Sequence, residues 1–313
     1  MIGYLLRRLV YVIPTVLLTI TAVFFLIYLV PGNPAQVMLG VEATQEEVDA
    51  LAEHLGIDEP LPVQFARYLS RLVRGNLGVS IYHKLPVTEL FLMRLPNTLR
   101  LGVFSICFAL DVAIPLGITA AVRRNSIWDY ASMLVALAGM SVPVFWLAIL
   151  LIYAFGLQLR WLPISGIGEA WYTLDGFRHT ILPGIALSAG LLASSTRLLR
   201  SSMLEILSED YVRTARAKGL PERLVIYRHA LRNALNPLVT NVALQMGALI
   251  GGAFLTETVF AWPGIGRLLV QAIVRRDYPL IQGITLATAV FVILINLVAD
   301  LCYALLDPKV RYS

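Results

Sequence analysis

The chain contains 313 residues, of which 58% are hydrophobic and 14% are charged. A soluble domain has about 45–50% apolar and about 25% charged residues, so this composition excludes an ordinary soluble protein and indicates that lipid covers part of the surface. The formal net charge of +5 does not indicate nucleic-acid binding, because the basic residues lie in short loops beside apolar segments and no recognition motif accompanies them.

The first predicted element is a membrane span at about 9–30, directly after Arg7 and Arg8. This apolar run is longer than the roughly 7–15 residues of a signal-peptide core. No small-residue cleavage site follows it, since the next residues are Pro31 and Gly32. We therefore expect an uncleaved first transmembrane helix.

A polar segment from Pro31 to Pro96 follows, and we expect it to form a small external subdomain between helices 1 and 2. Thr44 with Glu47 three residues later is typical of a helix N-terminus, and Gly56 predicts the end of that helix. A second amphipathic helix is predicted near Val63 to Val73.

Apolar stretches long enough to cross the hydrocarbon core, about 20 residues each, occur six times in the chain. The fourth contains Ser188, Ser194, Ser195 and Thr196, and small hydroxylated residues in a span indicate contact with another helix. The sequence therefore predicts an all-α, polytopic membrane protein with about six transmembrane helices. The predicted spans are about 9–30, 98–122, 131–157, 181–200, 238–260 and 281–306.

Basic residues predict the orientation, because cytoplasmic loops are enriched in Arg and Lys. Placing both termini inside puts the most basic segment in the cytoplasm, so we predict an N-in, C-in protein of the plasma (inner) membrane. The predicted domains are a first span (1–30), an external subdomain (31–96) and a transmembrane core (97–313). The cytoplasmic basic residues are Arg7, Arg8, Arg123, Arg124, Arg197, Arg200, Arg213, Arg216, Lys218, Arg223, Arg228, Arg232, Lys309 and Arg311.

Acidic residues within spans are costly, at least ~2.5–3.5 kcal/mol at a helix centre. Asp111 and Asp300 lie in predicted spans, and Glu257 lies near the outer end of the fifth. They either form an ion relay or face the bundle and bond to a neighbouring Ser, Thr or backbone group. Cys107 and Cys302 also lie in spans, without CxxC spacing, and are interpreted as space-filling thiols.

Motifs for catalysis are absent from the sequence. A nucleotide-binding P-loop needs Gly-Lys, and none of Lys84, Lys218 and Lys309 follows a glycine. The sequence has no HExxH, no GxSxG and no cluster of His, Met or Cys. We therefore predict no catalytic residue, no bound metal and no cofactor.

The hairpin, residues 203–238, is a basic amphipathic interruption between the fourth and fifth spans. The spacing predicts one helix from about Met203 to Lys218, a C-cap at Gly219 and a second helix after Pro221. Its predicted apolar stripe contains Met203, Leu204, Leu207, Tyr211 and Ala215. The hairpin is either a solvated loop that fixes topology or a docking element for another protein.

Tyr211 to Gly219, YVRTARAKG, resembles the EAA loop of ABC-importer permeases. Arg213, Thr214 and Ala215 occupy the Glu-Ala-Ala positions, and Gly219 is the glycine. The chain departs from the pattern at its Glu, its middle Ala, its Ile and its final Pro; the last two correspond to His229 and Arg232. RTARAKGL followed by RHALRNALNPL is similar to the peptide and nickel branch of these permeases. Four further segments are similar to the same branch. They are LLRRLVYVIPTVLLT…PGNPA, Trp262-Pro263-Gly264-Ile265-Gly266, Arg276-Asp277-Tyr278-Pro279 and Asp300…Tyr303…Asp307-Pro308-Lys309-Val310-Arg311.

The resemblance implies a permease that pairs with a second, homologous permease and with two ATPase subunits that hydrolyse ATP. It also implies an external substrate-binding protein, and no nucleic acid among the partners. A helix from about Glu205 to Leu220 is expected to lie in a cleft of one ATPase. The expected ATPase-coupling residues are Glu205, Tyr211, Arg213, Thr214, Ala215, Arg216, Lys218, Gly219 and Leu220.

Short peptides, dipeptides or oligopeptides, are the cargo that the resemblance favours. Nickel or a nickel chelator, glutathione and oligosaccharides stay open as alternatives within the same branch. Two alternatives come from other classes. A self-sufficient ion-coupled carrier would use Asp111 as a relay, and a membrane structural or assembly protein would have no substrate.

Overall fold

The computed structural model describes residues 2–25, 34–39, 43–55 and 59–306, which are helical apart from short turns and loops. Within these ranges no β-strand forms, and one isolated antiparallel bridge joins Val79 to Pro86. The predicted all-α class is therefore confirmed.

The helices differ widely in length, and two of them continue into π-helical turns. In chain order they are α1 (Ile2–Phe25), α2 (Pro34–Leu39), α3 (Gln45–Leu55), α4 (Leu61–Val73), α5 (Val87–Val122), α6 (Ile127–Ser141) and α7 (Val144–Leu151), which continues as a π-helix (Ile152–Gln158). They continue with α8 (Leu174–Leu207), α9 (Asp210–Ala217), α10 (Glu222–Leu224) with a π-helix (Val225–Ala230), α11 (Leu231–Val259), α12 (Ile265–Val274) and α13 (Tyr278–Leu306).

The chain divides into two compact units. Unit 1 contains Met1–Pro96 and Gly264–Leu294, and unit 2 contains Asn97–Pro263 and Ile295–Ser313. The predicted domains are divided differently, according to which segments lie in the membrane and which lie outside it. That division stays a prediction.

In unit 1, α1, α4 and α13 share an apolar core that includes Phe24, Tyr68 and Leu286. Gln282 is a polar residue on the apolar helix α13. Its Nε2 donates to the backbone carbonyl oxygens of Val23 at 3.1 Å and Phe24 at 3.3 Å. These hydrogen bonds compensate the cost of placing an amide among apolar side chains.

The two helices predicted for the 31–96 segment are present as α3 and α4. The Thr44 backbone N–H donates to Glu47 Oε2 at 2.9 Å, and the Glu47 N–H donates to Thr44 Oγ1 at 3.4 Å. This reciprocal cap confirms the predicted N-terminus of α3. The Thr44 backbone N–H also lowers the pKa of the Glu47 carboxyl below its usual value. Gly56, the predicted end of α3, lies outside the described residues.

A buried carboxylate organises the other part of unit 1. The side chain of Asp277 accepts hydrogen bonds from Ser80 Oγ at 2.6 Å and from the backbone N–H groups of Tyr82 at 3.0 Å and Ile81 at 3.2 Å. It also accepts from the Leu280 N–H at 3.2 Å, which caps α13. One residue therefore fixes both a loop and a helix start.

In unit 2, α8 packs against α6, α7 and α11. Ser188, Ser195 and Thr196 on α8 are fully buried. Asn241 Nδ2 on α11 donates to Ser194 Oγ and Ser195 Oγ, both at 3.3 Å. These contacts confirm that the small hydroxylated residues of this span face other helices.

By length and composition, four described helices can cross a membrane, or five if the bent pair α6–α7 is one span. They include α5, α8 and α13, and the fourth runs from Glu222 to Val259. The predicted first span appears as a shorter apolar helix, Val12–Phe25, and residues 26–30 lie outside the described residues. The count of six transmembrane helices stays a prediction.

The span predicted at 131–157 is not one straight helix. α6 and the helix from Val144 to Gln158 meet at 109°. Val142, at φ −91° and ψ 124°, is extended, as expected for a residue before a proline, and Pro143 is the N-cap of the next helix. The Val142–Pro143 sequence therefore accounts for the bend.

Candidate coupling surface

The predicted single helix from Met203 to Lys218 is wrong, because α8 ends at Leu207 and α9 begins at Asp210. The Ser208 hydroxyl donates to the Glu205 carbonyl oxygen at 2.6 Å, and the Ser208 N–H donates to the same oxygen at 3.1 Å. Glu209 is then extended, at φ −68° and ψ 148°. Of the predicted site residues, Glu205 therefore lies on α8 and the others lie on α9 or its C-terminal turn.

One face of α9 packs on the chain itself. Val212 and Ala215 are buried against Val225, with Ile206, Leu207 and Leu220 around them. Tyr211, predicted in this apolar stripe, is exposed instead, and its hydroxyl oxygen accepts from Asn233 Nδ2 at 2.8 Å. The break at Ser208 changes the register of the helix, so a stripe drawn through both helices does not hold.

The turn after α9 is a Schellman motif. The Gly219 N–H donates to the Arg216 carbonyl oxygen at 2.9 Å, and the Leu220 N–H donates to the Ala215 carbonyl oxygen at 3.4 Å. Gly219 has φ +76°, so the predicted C-cap is confirmed. No atom lies within 4 Å of where a Cβ at Gly219 would stand. The turn therefore needs glycine for its backbone conformation and not for space.

The outward face of the turn is basic. Arg213, Thr214, Arg216 and Lys218 are all exposed. Arg213 lies 3.2 Å from Asp210, a pair so exposed that it contributes little stability. Arg216 binds Glu222 through two contacts, at 2.8 Å and 3.2 Å. The hydrogen bonds to Glu222 raise the pKa of the Arg216 guanidinium, so this residue stays cationic.

The second arm of the hairpin continues directly into α11. The segment from Glu222 to Val259 is one continuous helix whose π-helical turn contains His229. A cleft of 320 Å³ lies beside this arm, and it adds two more basic side chains next to the turn. The cleft is lined by Pro221, Arg223, Leu224, Tyr227 and Arg228.

The base of the hairpin is packed into the helices of unit 2. Met203 and Leu199 of α8 share a buried cluster with Ile118 of α5, Ile226 of the π-helix and Leu238 of α11. The base of the hairpin is therefore in direct contact with α5 and α11.

Asp129, which connects α6 to α8, is not among the predicted functional residues. Its side chain is 3% exposed and receives two hydrogen bonds from Arg200, at 2.6 Å from Nε and 2.7 Å from Nη2. The Asn125 N–H also donates to Asp129 Oδ2, at 3.0 Å. The sequence does contain a local pattern that marks Asp129. Ser126, three residues earlier, is the N-cap of α6 and accepts from the Asp129 N–H.

The acidic residues of the predicted spans have different surroundings. Glu257 is fully buried and accepts from Thr98 Oγ1 at 2.6 Å, which agrees with a bundle-facing acid. Asp111 is exposed on α5, so the bundle-facing interpretation is wrong for it within this chain. The side chain of Asp300, like that of Cys302, lies outside the described residues. Cys107 is a free, exposed thiol and not a space-filling one.

No group of three His, Cys, Asp or Glu side chains that could hold a metal ion occurs in the part of the chain that the structure describes. The basic turn and its packed base are thus the features that set the hairpin apart. The hairpin combines exposed cationic side chains with a buried apolar base.

Comparison with known proteins assigns this architecture to a class. Residues 113–312 match the family "Binding-protein-dependent transport system inner membrane component", and residues 1–102 match the N-terminal family of the same membrane components. The chain belongs to this family, whose members are multi-pass proteins of the plasma membrane and serve as permeases that work with binding proteins.

Full-length relatives carry more specific names. The chain is 42% identical over 333 residues to the dipeptide transport system permease protein DppB of Alkalihalophilus pseudofirmus, covering 100% of both chains. It is also 42% identical over 338 residues to DppB of Escherichia coli strain K12, again covering 100% of both. The glutathione transport system permease protein GsiC of Pectobacterium atrosepticum is 42% identical over 313 residues, with 100% of both covered.

A solved structure shares the fold. A chain of the MetNI methionine ABC transporter in an inward-facing conformation matches with a TM-score of 0.58 at 17% identity. The match covers 70% of this chain and 97% of that chain. At this identity the likeness concerns the fold alone.

Proposed function

We propose that the chain is the permease subunit of an ATP-driven importer that carries short peptides across the plasma membrane. The observation that carries this proposal is the full-length similarity, at 42% identity, to permeases named for dipeptide transport. The sequence has no Gly-Lys for a P-loop, so the energy comes from separate ATPase subunits.

The proposed assembly contains this permease, a second homologous permease, two ATPase subunits and an external binding protein. Both termini lie in the cytoplasm, because that orientation puts the basic hairpin inside. The external segment 31–96, with α3 and α4, is the proposed contact for the binding protein. The name of the matched family, which refers to binding proteins, supports this set of partners.

The proposed coupling uses the hairpin as the contact with the ATPase. The exposed Arg213, Thr214 and Lys218 contact the ATPase, and Arg213 and Lys218 pair with its acidic residues. Leu220 and Ala215 hold α9 on the chain, so a force applied to the turn moves the hairpin as one body. When the ATPases close, this force reaches α5, α8 and α11 through the cluster at Met203, and α6 through Asp129. The spans then change between inward-facing and outward-facing states by rigid-body motion.

The other predicted residues, Glu205, Tyr211 and Arg216, contact the rest of the hairpin and not the ATPase. Glu205 is exposed at the end of α8, where its carbonyl oxygen accepts the Ser208 hydrogen bonds that end the helix. Tyr211 is held by Asn233, and Arg216 is held by Glu222. We propose that these three residues set the position of α9 relative to α8 and α11.

A matched pair of variants tests the coupling mechanism. In the assembled complex, Gly219→Pro forces φ to about −65° where the native value is +76°, and it removes the N–H that bonds Arg216. We expect normal insertion and assembly, loss of uptake and loss of substrate-stimulated ATP hydrolysis. Arg213→Glu should have the same effect more weakly, through charge repulsion.

Gly75→Pro is the control for insertion and assembly only, since α4 lies in the proposed contact for the binding protein. Gly75 ends α4 with φ +74°, and its N–H donates to the Leu72 carbonyl oxygen at 2.9 Å. The local damage is the same, and the hairpin is untouched. Full uptake by both hairpin variants in assembled complexes would contradict the coupling mechanism.

Glutathione is the second candidate cargo. The alignments to the glutathione permeases span 313 residues, the length of this chain, whereas those to the dipeptide permeases span 333 and 338. Uptake of radiolabelled Ala-Ala and of glutathione into proteoliposomes with the complete complex separates the two. ATP-driven uptake of Ala-Ala in preference to glutathione is expected. Uptake by this chain alone, driven by a proton or sodium gradient, would instead favour the ion-coupled carrier.

A further inference from the structure

A stripe of exposed residues runs along α5 and contains the carboxylate of Asp111. Leu99, Val103, Cys107, Asp111 and Pro115 recur at every fourth position, and all are exposed. The opposite side of α5 is buried, with Leu101, Ala109 and Ala113 fully inaccessible. The helix therefore has one face that the chain itself leaves uncovered.

Asp111 lies near the middle of the span. At a rise of about 1.5 Å per residue, Asp111 is about 16 Å from Arg100 towards the start of α5 and about 16 Å from Val122 at its end. Arg100 is held at its own depth by Thr180 Oγ1, 2.5 Å away, and by the Gly176 carbonyl oxygen. A hydrocarbon core about 30 Å thick thus places this carboxylate close to its centre.

Contact with lipid is energetically unfavourable for the Asp111 side chain. A charged side chain at a helix centre is strongly disfavoured in hydrocarbon, and such residues face a bundle interior or a water-filled cavity. Among the described residues, no hydrogen bond or ion pair joins the Asp111 side chain to the rest of the chain. The uncovered face of α5 therefore borders water or another protein.

A second acceptor stands on the same turn. In an ordinary helix, the carbonyl oxygen of Asp111 would accept a hydrogen bond from the N–H of residue 115. Residue 115 is a proline and has no N–H, so this oxygen lacks that donor. The side-chain carboxylate and this carbonyl oxygen together form a group of acceptors on the exposed face. An ammonium group has three N–H donors and no acceptor, and so complements this arrangement.

We propose that Asp111 lines the substrate path between the two permeases and binds the N-terminal ammonium of a short peptide in transit. The part of this proposal that concerns peptides rests on the proposed function. A packed interface with the second permease would strip water from the carboxylate, which is costly even with a counter-charge. A path that is wetted in one conformation leaves the carboxylate hydrated until a cationic group arrives.

Cys107 provides a test for the position and charge of Asp111. It lies one turn away, and side chains four residues apart on a helix are about 5–6 Å apart. In the complete complex with Cys302→Ser, Cys107 should react with membrane-impermeant methanethiosulfonates. The carboxylate attracts a cationic reagent and repels an anionic one, so Asp111 should raise the ratio of the two rates roughly tenfold.

Asp111→Asn should lower the ratio of the cationic to the anionic rate roughly tenfold, to the value set by the Cys107 thiolate itself, and Asp111→Glu should keep the ratio of the parent protein. Cys107→Ser is the control for labelling elsewhere. Failure of both reagents in every nucleotide state would overturn the proposal, since a face packed on lipid or protein excludes them. The same ratio of the two rates in the parent protein and in Asp111→Asn would overturn it too. None of these rates depends on the identity of the cargo.

Uptake measurements then test whether Asp111 binds the ammonium group of the peptide. For Ala-Ala, Asp111→Asn should raise KM about tenfold or more with a smaller change in kcat, and Asp111→Glu should restore most of the affinity. An unchanged KM for the Asn variant would overturn ammonium binding. If the parent complex imports neither Ala-Ala nor glutathione, the proposed cargo fails, while the thiol rates still decide whether Asp111 faces the path.

Discussion

Two helices of this protein, one in each compact unit, end in the same turn. α4 ends at Gly75 with φ +74°, and α9 ends at Gly219 with φ +76°. In both, the glycine N–H and the next N–H close a Schellman motif; after α4, the Asn76 N–H reaches the Arg71 carbonyl oxygen at 3.0 Å. Neither glycine has an atom within 4 Å of a potential Cβ.

The residues after these turns differ. Asn76 is polar, and its Oδ1 accepts from the Gly78 N–H at 2.9 Å, so the chain continues into the loop that Asp277 holds. Leu220 is apolar, and it returns to pack on Val212 and Ala215. The same backbone motif thus leads into a polar-bonded loop in unit 1 and into a compact, basic projection in unit 2. Local geometry alone does not assign a function to either turn.

The largest expected effect concerns the loop that follows the turn at Gly75 and is held by Asp277. Asp277→Ala removes the acceptor of Ser80 Oγ and of three backbone N–H groups and leaves these donors without partners. We expect a loss of about 3 kcal/mol in the free energy of unfolding, because unpaired buried donors are costly. Thermal unfolding of the detergent-solubilised protein measures it.

Asp277→Asn keeps a side-chain oxygen and should lose less. A midpoint unchanged by Asp277→Ala would mean that the loop is not supported by this carboxylate, and the contrast between the two turns would then weaken.

The sequence predicts the local features of both regions better than their tertiary contacts. The cap at Thr44, the C-cap at Gly219 and the helix contacts of Ser195 follow from neighbours in sequence or from residue type. The break at Ser208 escapes prediction, because a helical stripe continues through Ser208 and Glu209 without a proline or glycine. The Asp129–Arg200 and Ser80–Asp277 pairs join distant residues, and a single sequence carries no information on which distant partners meet.

A second, somewhat smaller effect concerns the support of the hairpin. Asp129→Ala leaves Arg200 partly buried without its counter-charge, and we expect a loss of about 2 kcal/mol, since Arg200 keeps a quarter of its side chain exposed. The same thermal unfolding measurement applies. If the pair also transmits the motion of the hairpin to α6, uptake should fall by more than stability alone explains.

Asp210→Ala is the matched control, because its pair with Arg213 is almost fully exposed and should change stability by less than about 0.5 kcal/mol. In a double-mutant cycle, Asp129→Ala with Arg200→Ala should cost less than the sum of the single variants. Additive losses would show that the two residues act independently.

The smallest expected effect tests the comparison of the two turns directly. Gly75→Ala and Gly219→Ala each place a Cβ in open space at a left-handed φ, so each should cost only about 1 kcal/mol from backbone strain. Hydrogen exchange reports this as roughly fivefold faster opening of the last turn of α4 or of α9. Because the two local penalties match, Gly75→Ala calibrates the loosening by exchange, and the loss of uptake in Gly219→Ala relative to the parent protein measures what the hairpin contributes to coupling. Uptake equal to that of the parent, with exchange accelerated as in Gly75→Ala, would mean that the transport cycle tolerates a loosened hairpin turn, and coupling would then rest on the exposed charges of α9 more than on its rigid end.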